Sequence, residues 1–247
     1  RCMVKMNWAP MGAEATGGPG VAPWPADTYS RLMSGPDPTV PEAVLFDFGG
    51  VILTSPFDAF AAYEAEVGLP PDTVRRINST NPDTNAWARF ERREVGPVEF
   101  CVLFEAEAAA LELELDARRI LAGLHGELRP AMVEALRCCG STLRTALLTN
   151  NVTPLADQEV AGSSVLEVVE MFDVVVESSV VGCRKPEPAF YELACERLGV
   201  DPSACVFLDD LGVNLKPARA MGMTTIKVVD PATAISQLEQ VLGIQLS

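Results

Sequence analysis

The feature that most constrains the fold is a short apolar run within residues 43–53. A stretch of Val, Leu and Phe leads into Asp47, and two glycines follow. Such a run, without polar alternation, is typical of a strand that is buried on both faces of a parallel sheet. Ligands bind outside the carboxyl ends of these strands, and an unpaired buried carboxylate is costly. We therefore expect Asp47 to lie in a binding crevice with partners from distant parts of the chain.

The order of helix and strand signals divides the chain. Residues 56–128 carry helix signals and no strand pattern, whereas strands and helices alternate from residue 129 onward. Alternation of this kind predicts an α/β fold with a doubly wound parallel sheet, into which an all-helical cap is inserted. The predicted domains are a flexible leader, native or artefactual, an α/β core in two segments, and a helical cap: residues 1–40, residues 41–55 with 129–247, and residues 56–128.

Charge and hydropathy exclude several classes of partner. A net charge of -15 with a pI near 4.5 argues against nucleic acid and anionic membranes, which require a basic surface. No apolar run is long enough to span a bilayer. A small-molecule phosphate ester stays open as a partner, because a local metal ion or lysine can override the overall field. The oligomeric state is left open.

Cysteine and histidine usage limits the chemistry. The 7 cysteines form no C-x-x-C pair, which fits a reduced compartment, so we expect a cytoplasmic protein with organelle import left open. The single histidine, His125, leaves little material for Ser-His or Cys-His catalysis. Carboxylates, hydroxyls and lysine must therefore carry any catalysis.

Four polar clusters follow predicted strands or lie in the loop after one. They are Asp47, Thr149-Asn150, Lys185-Pro186 and Asp209-Asp210. Taken singly, most of them are explained as turns, helix caps or solvated charges. Because the carboxyl ends of parallel strands share one edge of the sheet, we expect the four clusters to converge there.

These motifs, in this order, resemble those of the haloacid dehalogenase superfamily. The resemblance covers residues 43–245 and includes Phe-Asp-Phe-Gly-Gly-Val, Thr-Asn, Lys-Pro-Glu-Pro and Phe-Leu-Asp-Asp followed by Asn214. Within the superfamily, the motifs look most like the phosphatase-type domains at the N-termini of soluble epoxide hydrolases and of one acyl-CoA dehydrogenase family. The resemblance implies a core sheet of Rossmann type with a helical cap.

The resemblance also implies a nucleophile and a magnesium site. Asp47 would attack phosphorus and form an aspartyl-phosphate, since a carboxylate needs no base to activate it at pH 7. Mg²⁺ would bind the carboxylates of Asp47 and Asp210 and the carbonyl oxygen of Gly49, with Asp209 behind them or bound through water. Oxygen ligands of this kind are the ones that a hard cation prefers.

Other residues would hold the phosphoryl group. Thr149 and Asn150 would bind its oxygens, and Lys185 would neutralise the charge on both nucleophile and phosphoryl group. Asn214 would brace Lys185 or the acidic pair. In the cap, Arg89 is the candidate for binding a second anion, although an arginine of this kind more often belongs to a solvated face.

Gly49 departs from the pattern of the superfamily. Its phosphatases usually carry a second Asp at this position, which protonates the leaving group and then activates water, and losing such a group costs about 10²- to 10⁴-fold in rate. We predict a Mg²⁺-dependent phosphohydrolase of a small phosphorylated metabolite, whose turnover is slow or limited to good leaving groups unless another group takes the place of the missing acid. Two alternatives stay open: a 2-haloacid dehalogenase, since halide leaves without a proton, and a catalytically weak binding or regulatory domain. The Asp209-Asp210 pair favours the phosphatase.

Overall fold

A computed structural model describes residues 40–152, residue 155 and residues 163–246. Its strands are β1 (Ala43–Phe46), β2 (Arg144–Thr149), β3 (Val174–Glu177), β4 (Cys205–Asp209) and β5 (Thr224–Lys227). They form a parallel sheet in the order β3-β2-β1-β4-β5. Apart from Val40, the predicted leader lies outside the described residues.

The chain between β1 and β2 is helical, and its described residues contain no β-strand. An isolated antiparallel bridge between Leu53 and Leu128 joins the points where the chain leaves and re-enters the sheet region. The helices pack on a separate apolar core that includes Phe100 and Phe104. These helices, which we call the cap, are α1 (Pro56–Val67), α2 (Thr73–Asn78), α3 (Ala86–Glu91), α4 (Pro97–Ala109) and α5 (Ala117–Ala122).

Local signals explain how the cap begins. Ser55 caps α1 through its side-chain oxygen, which accepts a hydrogen bond from the N–H of Phe57, and Pro56 occupies the first helical turn. Gly68 ends the helix in the left-handed conformation, with φ +75°. Both ends of α1 therefore follow from local sequence signals.

β1 is the central strand of the sheet. Its residue Ala43 lies opposite Arg144 on β2 and opposite Cys205 on β4. All four residues of the strand have 0% exposure, because alternate side chains enter apolar cores on opposite faces of the sheet. The prediction of a strand buried on both faces is therefore confirmed.

Helices cover both faces of the sheet, which confirms the doubly wound α/β fold. The helices after the cap are α6 (Pro130–Gly140), α7 (Ser163–Val169), α8 (Ser178–Val181), α9 (Pro188–Leu198), α10 (Gly212–Ala220) and α11 (Pro231–Leu242). One core contains residues of α6, α7 and α11, and the other contains residues of α9 and α10. No helix among the described residues has the length and apolar character that crossing a membrane requires.

Candidate active site and metal centre

Asp47 lies directly after β1, at the carboxyl edge of the sheet. Its backbone N–H donates to the carbonyl oxygen of Leu208 on β4 at 2.9 Å, which extends the sheet hydrogen bonding by one residue. Its Oδ1 accepts a hydrogen bond from the N–H of Phe48 at 2.6 Å and lies 2.7 Å from the Nζ of Lys185. The carboxylate is thus fixed in orientation by groups on both sides.

Lys185 joins the first and the last of the predicted clusters. Its side chain is 1% exposed, and its Nζ lies 2.7 Å from Asp47 and 2.8 Å from Oδ2 of Asp209. The Asp209 carboxylate also accepts hydrogen bonds from the side chain of Asn214 at 3.0 Å and from the N–H of Leu211 at 2.8 Å. Asn214 therefore lies against Asp209, where it braces one member of the acidic pair.

The cluster after β2 meets the same loop. Thr149 is buried and lines the cavity described below. The side chain of Asn150 forms a two-way contact with the backbone of Lys185: its Oδ1 accepts from the N–H and its Nδ2 donates to the carbonyl oxygen, both at 2.9 Å. In this structure the Asn150 amide holds Lys185, so a direct contact of that amide with a phosphoryl group stays a prediction.

Two carboxylates, those of Asp47 and Asp209, contact one ammonium group at this edge, and a third, that of Asp210, lies beside them. Ligand oxygens of Asp47, Asp209 and Asp210 lie within 4.8 Å of one another. Burial raises the pKa of Asp47, the charge of Lys185 opposes this shift, and the neighbouring carboxylates add to it. Burial and the Asp209 charge raise the pKa of Asp210 to about 6. Burial acts to lower the pKa of Lys185, but the carboxylates of Asp209 and Asp47 outweigh it and the net shift is upward.

This donor set fits a hard divalent cation. Such ions take carboxylate and carbonyl oxygens, and a cation would relieve the repulsion among the carboxylates. The backbone at Gly50 approaches Asp210 so closely that a Cβ there would lie 2.3 Å from Oδ2 of Asp210, and φ at Gly50 is +80°. Only glycine suits both the space and the conformation. The absence of a side chain at Gly50 therefore makes room for the Asp210 carboxylate beside Asp47.

The cluster opens into a cavity of about 1040 Å³ between the sheet edge and the cap. One end is polar, and the cap contributes aromatic and aliphatic side chains together with polar ones such as Arg75, Asn78 and Glu91. The polar end includes Asp47, Gly49, Thr149, Asn150, Lys185 and Asp210. The cap wall includes Phe57, Phe60, Trp87, Phe90, Leu121 and Leu124.

The structure does not bring Arg89 to this cavity. Its guanidinium pairs instead with Glu99 at 3.4 Å and with Glu94 at 3.8 Å, and 36% of its side chain is exposed. Among the residues that the structure describes, the arginines lining the cavity are Arg75 and Arg184. The expectation that Arg89 contacts substrate is therefore corrected to the solvated-face interpretation: its acidic partners on the cap hold it at the surface.

Two cavity residues were missed from the sequence. Glu91, at the end of α3, is 7% exposed and bonds to Arg184 and to Asn150. Burial raises the pKa of Glu91, while the charge and hydrogen bond of Arg184 oppose the shift. Arg184 could have been suggested by its position beside Lys185. Glu91 lies in a helix without any motif, so the sequence offers no signal for it.

Comparison with known proteins places these features in a family. A family model described as haloacid dehalogenase-like hydrolase matches residues 41–222. Acyl-CoA dehydrogenase family member 10 of Mus musculus is 35% identical over 83% of this chain, but that match spans 19% of the mouse protein. Bifunctional epoxide hydrolase 2 of Sus scrofa is 32% identical over 83% of this chain, a match that spans 39% of the pig protein. The chain thus spans less than half the length of these two relatives, and both were anticipated by its motifs.

This chain is also similar to a shorter relative and to two solved structures. A protein named as a phosphatase from Mycobacterium tuberculosis is 32% identical over 73% of this chain and 84% of its own length. A HAD family enzyme of Bacteroides thetaiotaomicron, solved in complex with magnesium and inorganic phosphate, aligns over 76% of this chain and 93% of its own, with a TM-score of 0.52 and 19% identity. A dehalogenase solved with an intermediate complex aligns over 83% and 98%, with a TM-score of 0.57 and 20% identity. At these identities the two structures show that the fold is shared and do not by themselves assign a function to this chain.

Proposed function

We propose that this chain, which belongs to the haloacid dehalogenase-like hydrolases, is a Mg²⁺-dependent phosphohydrolase acting on a small phosphorylated metabolite through an aspartyl-phosphate. The observation that carries the proposal is the buried Lys185, whose Nζ bridges Asp47 and Asp209 beside Asp210. This arrangement combines a carboxylate nucleophile, a fixed positive charge and further oxygen ligands at one end of a cavity. The name of the Mycobacterium tuberculosis relative supports the phosphatase over the dehalogenase.

Asp47 is the proposed nucleophile. Its side-chain contacts with Phe48 and Lys185 both go to Oδ1, which leaves Oδ2 as the oxygen without a hydrogen-bond partner among the described residues. In the first step a bond forms between the Asp47 carboxylate and phosphorus, and the bond from phosphorus to the alcohol oxygen breaks with that oxygen keeping the electron pair. In the second step water attacks phosphorus, its proton leaves to solvent or to a base, and inorganic phosphate departs from the regenerated carboxylate.

Lys185 and Thr149 are the proposed partners of the phosphoryl group. Lys185 already contacts the nucleophile, so its charge would offset the negative charge that the phosphoryl oxygens bring. Thr149 lines the same end of the cavity and would donate its hydroxyl to one oxygen. Asn150 and Asn214 hold Lys185 and Asp209 in place, respectively.

We further propose that the core and the cap are separate domains. The core domain comprises residues 41–55 and 129–247, and the cap domain comprises residues 56–128.

The proposed Mg²⁺ ligands are Asp47, the Gly49 carbonyl oxygen and Asp210, with Asp209 behind them. The bound ion would neutralise the carboxylates and the phosphoryl oxygens and would orient the phosphate for attack. The magnesium in the structure of the Bacteroides thetaiotaomicron enzyme supports this choice of metal.

Gly49 is the observation that favours the rival reaction. A glycine supplies no proton to an alcohol leaving group, whereas halide needs none. The dehalogenase hypothesis therefore stays open, although a third carboxylate such as Asp210 has no evident use in breaking a carbon–halogen bond.

A substrate panel separates the hypotheses. Purified protein is incubated with p-nitrophenyl phosphate, aliphatic phosphate monoesters and 2-haloacids, each with Mg²⁺ or with EDTA, and released phosphate and halide are measured. The proposal expects phosphate release that Mg²⁺ restores after EDTA treatment. Halide release that is indifferent to EDTA would establish the dehalogenase instead, and release of neither product would favour a binding or regulatory domain.

A further inference from the structure

The loop that carries Lys185 is contacted from the cap at both of its ends. Residues 184–187 follow α8, and α3 of the cap ends beside them. Two adjacent cap residues of opposite charge, Glu91 and Arg92, face two loop residues of opposite charge, Arg184 and Glu187. The order of charges matches, acid to base and base to acid, so both contacts are attractive.

Glu91 makes the deeper of the two contacts. Its Oε2 accepts hydrogen bonds from the Nε of Arg184 and, at 3.2 Å, from the Nδ2 of Asn150. Its Oε1 accepts a hydrogen bond from the indole N–H of Trp87 at 2.9 Å, which ties the carboxylate to the aromatic core of the cap. Glu91 thereby bonds both to the loop before Lys185 and to the amide that holds the Lys185 backbone.

Arg92 makes the outer contact. Its Nε lies 2.8 Å from Oε1 of Glu187, and the side chains of Arg92 and Glu187 are 16% and 36% exposed. The Nη2 of Arg92 also donates a hydrogen bond to the carbonyl oxygen of Asp83 at 2.9 Å. Glu187 is in turn part of the tight turn before α9, because its N–H donates to the carbonyl oxygen of Arg184 at 2.7 Å. The turn that presents Lys185 is therefore anchored to the cap on either side.

We infer that Glu91 and Arg92 are positioning residues for the proposed phosphoryl transfer: docking of the cap through these two pairs sets the place of the Lys185 ammonium group beside Asp47. The inference rests on the proposed function and adds a requirement to it, namely that α3 of the cap be seated on the loop. Displacing a catalytic group by about 1 Å can cost about 10²-fold in rate. A loop with anchored ends limits such a displacement.

A merely stabilising role for the two pairs makes different predictions. It would lower the thermal midpoint of the variants without changing the turnover of the molecules that stay folded. A positioning role predicts a lower kcat of the variants in fully folded protein and a looser backbone around Lys185. Among the described residues, the Lys185 N–H donates to Asn150, whose side chain Glu91 holds.

The first experiment measures hydrogen exchange of the backbone amides of residues 183–187 in the full chain. Glu91→Gln and Arg92→Gln are compared with Arg119→Gln, a matched control whose partner Glu66 lies within the cap at 2.6 Å. We expect the Lys185 and Glu187 amides to exchange at least about tenfold faster in the first two variants and at the wild-type rate in the control. Unchanged exchange in folded Glu91→Gln would overturn the inference, whether or not the protein proves to be a phosphatase.

The second experiment uses p-nitrophenyl phosphate with saturating Mg²⁺. We expect Glu91→Gln to lower kcat by about ten- to a hundredfold while KM changes by less than about threefold. Arg92→Glu and Glu187→Arg should each lower kcat, and the double variant with exchanged charges should recover to within about threefold of wild type. If the kcat of the double variant does not exceed that of the less active single variant, the inference is overturned. If Glu91→Gln does not fold, the exchanged pair decides alone.

Discussion

The core side of the cavity, which we call the core wall, and the outer face of the cap use charged residues in opposite ways. At the core wall, Lys185 and Asp209, which lies behind it, are buried and bond to each other, whereas on the outer face of the cap Arg89 and Arg119 pair with acids at the surface. Exposed ion pairs contribute about 0–1 kcal/mol, but removing one partner of a buried pair costs about 3–5 kcal/mol. The difference teaches that the core wall fixes the chemistry, while most charges of the cap are replaceable.

The strongest challenge to the core wall is Asp47→Asn. The substitution keeps the shape of the side chain but removes the nucleophilic oxygen, so we expect the turnover of p-nitrophenyl phosphate to fall by more than about 10³-fold. Steady-state assays with Mg²⁺ measure the loss, and the thermal midpoint verifies folding. Activity above about a tenth of wild type would remove Asp47 from the proposed mechanism.

Gly49→Asp tests the opposite direction at the same wall. A Cβ at this position meets only the Cδ of Pro56, at 3.6 Å, and the backbone has φ −67°, so a side chain fits without strain. Adding an acid should raise kcat for aliphatic phosphate esters by about 10- to 100-fold, because a poor leaving group needs a proton. Gly49→Asn, which has the same shape and no acid, is the control. An equal effect of the two variants would mean that the missing acid does not limit the rate.

The neighbouring glycine should respond in the reverse sense. Gly50→Ala places a methyl group 2.3 Å from Oδ2 of Asp210 at a positive φ, whereas Gly49→Ala meets nothing closer than 3.6 Å. We expect the first to cost about 1–3 kcal/mol in the free energy of unfolding and to weaken Mg²⁺ binding, and the second to be nearly neutral. Denaturant unfolding with and without Mg²⁺ measures both, and equal costs would contradict the close approach.

The smallest effect is expected on the outer face of the cap. Arg119→Gln breaks a pair with Glu66 whose side chains are 44% and 66% exposed. We expect the free energy of unfolding to change by less than about 1 kcal/mol and kcat to stay at the wild-type value. A larger loss of activity would show that cap charges far from the Lys185 loop also affect turnover. The contrast between the core wall and the outer face of the cap would then fail.

Sequence patterns predicted the sheet well because its central strand is buried on both faces, and Val44 to Phe46 show no polar alternation. Boundaries were less certain. The sequence offers both Pro186 and Pro188 as a helix start, and α9 begins at Pro188, since Pro186 lies in the turn closed by the Glu187 N–H on Arg184. Either proline suits a helix start, and only the hydrogen bond of the turn decides between them.

The candidate site was predictable where the chain follows a strand and not where the cap meets the core. Asp47, Lys185 and Asp209 lie at strand ends or in loops whose convergence follows from a parallel sheet. Glu91 and Arg89 both lie in one short helix, and the sequence does not indicate which of them faces inward. Whether each side chain is buried or exposed depends on how the cap packs on the core, and no local sequence pattern encodes this packing.

The central place of β1 also affects how the protein is made. Ala43 pairs with Arg144 and Cys205, so the first of the described strands has to wait for neighbours that are synthesised much later. Meanwhile the cap, with an apolar core of its own, is complete before either neighbour appears. Because long-range pairing is slow, we expect the cap amides to gain protection before those of Ala43–Phe46 in pulse-labelled refolding. During synthesis, the cap side of the cavity would then form before the sheet edge that carries Asp47.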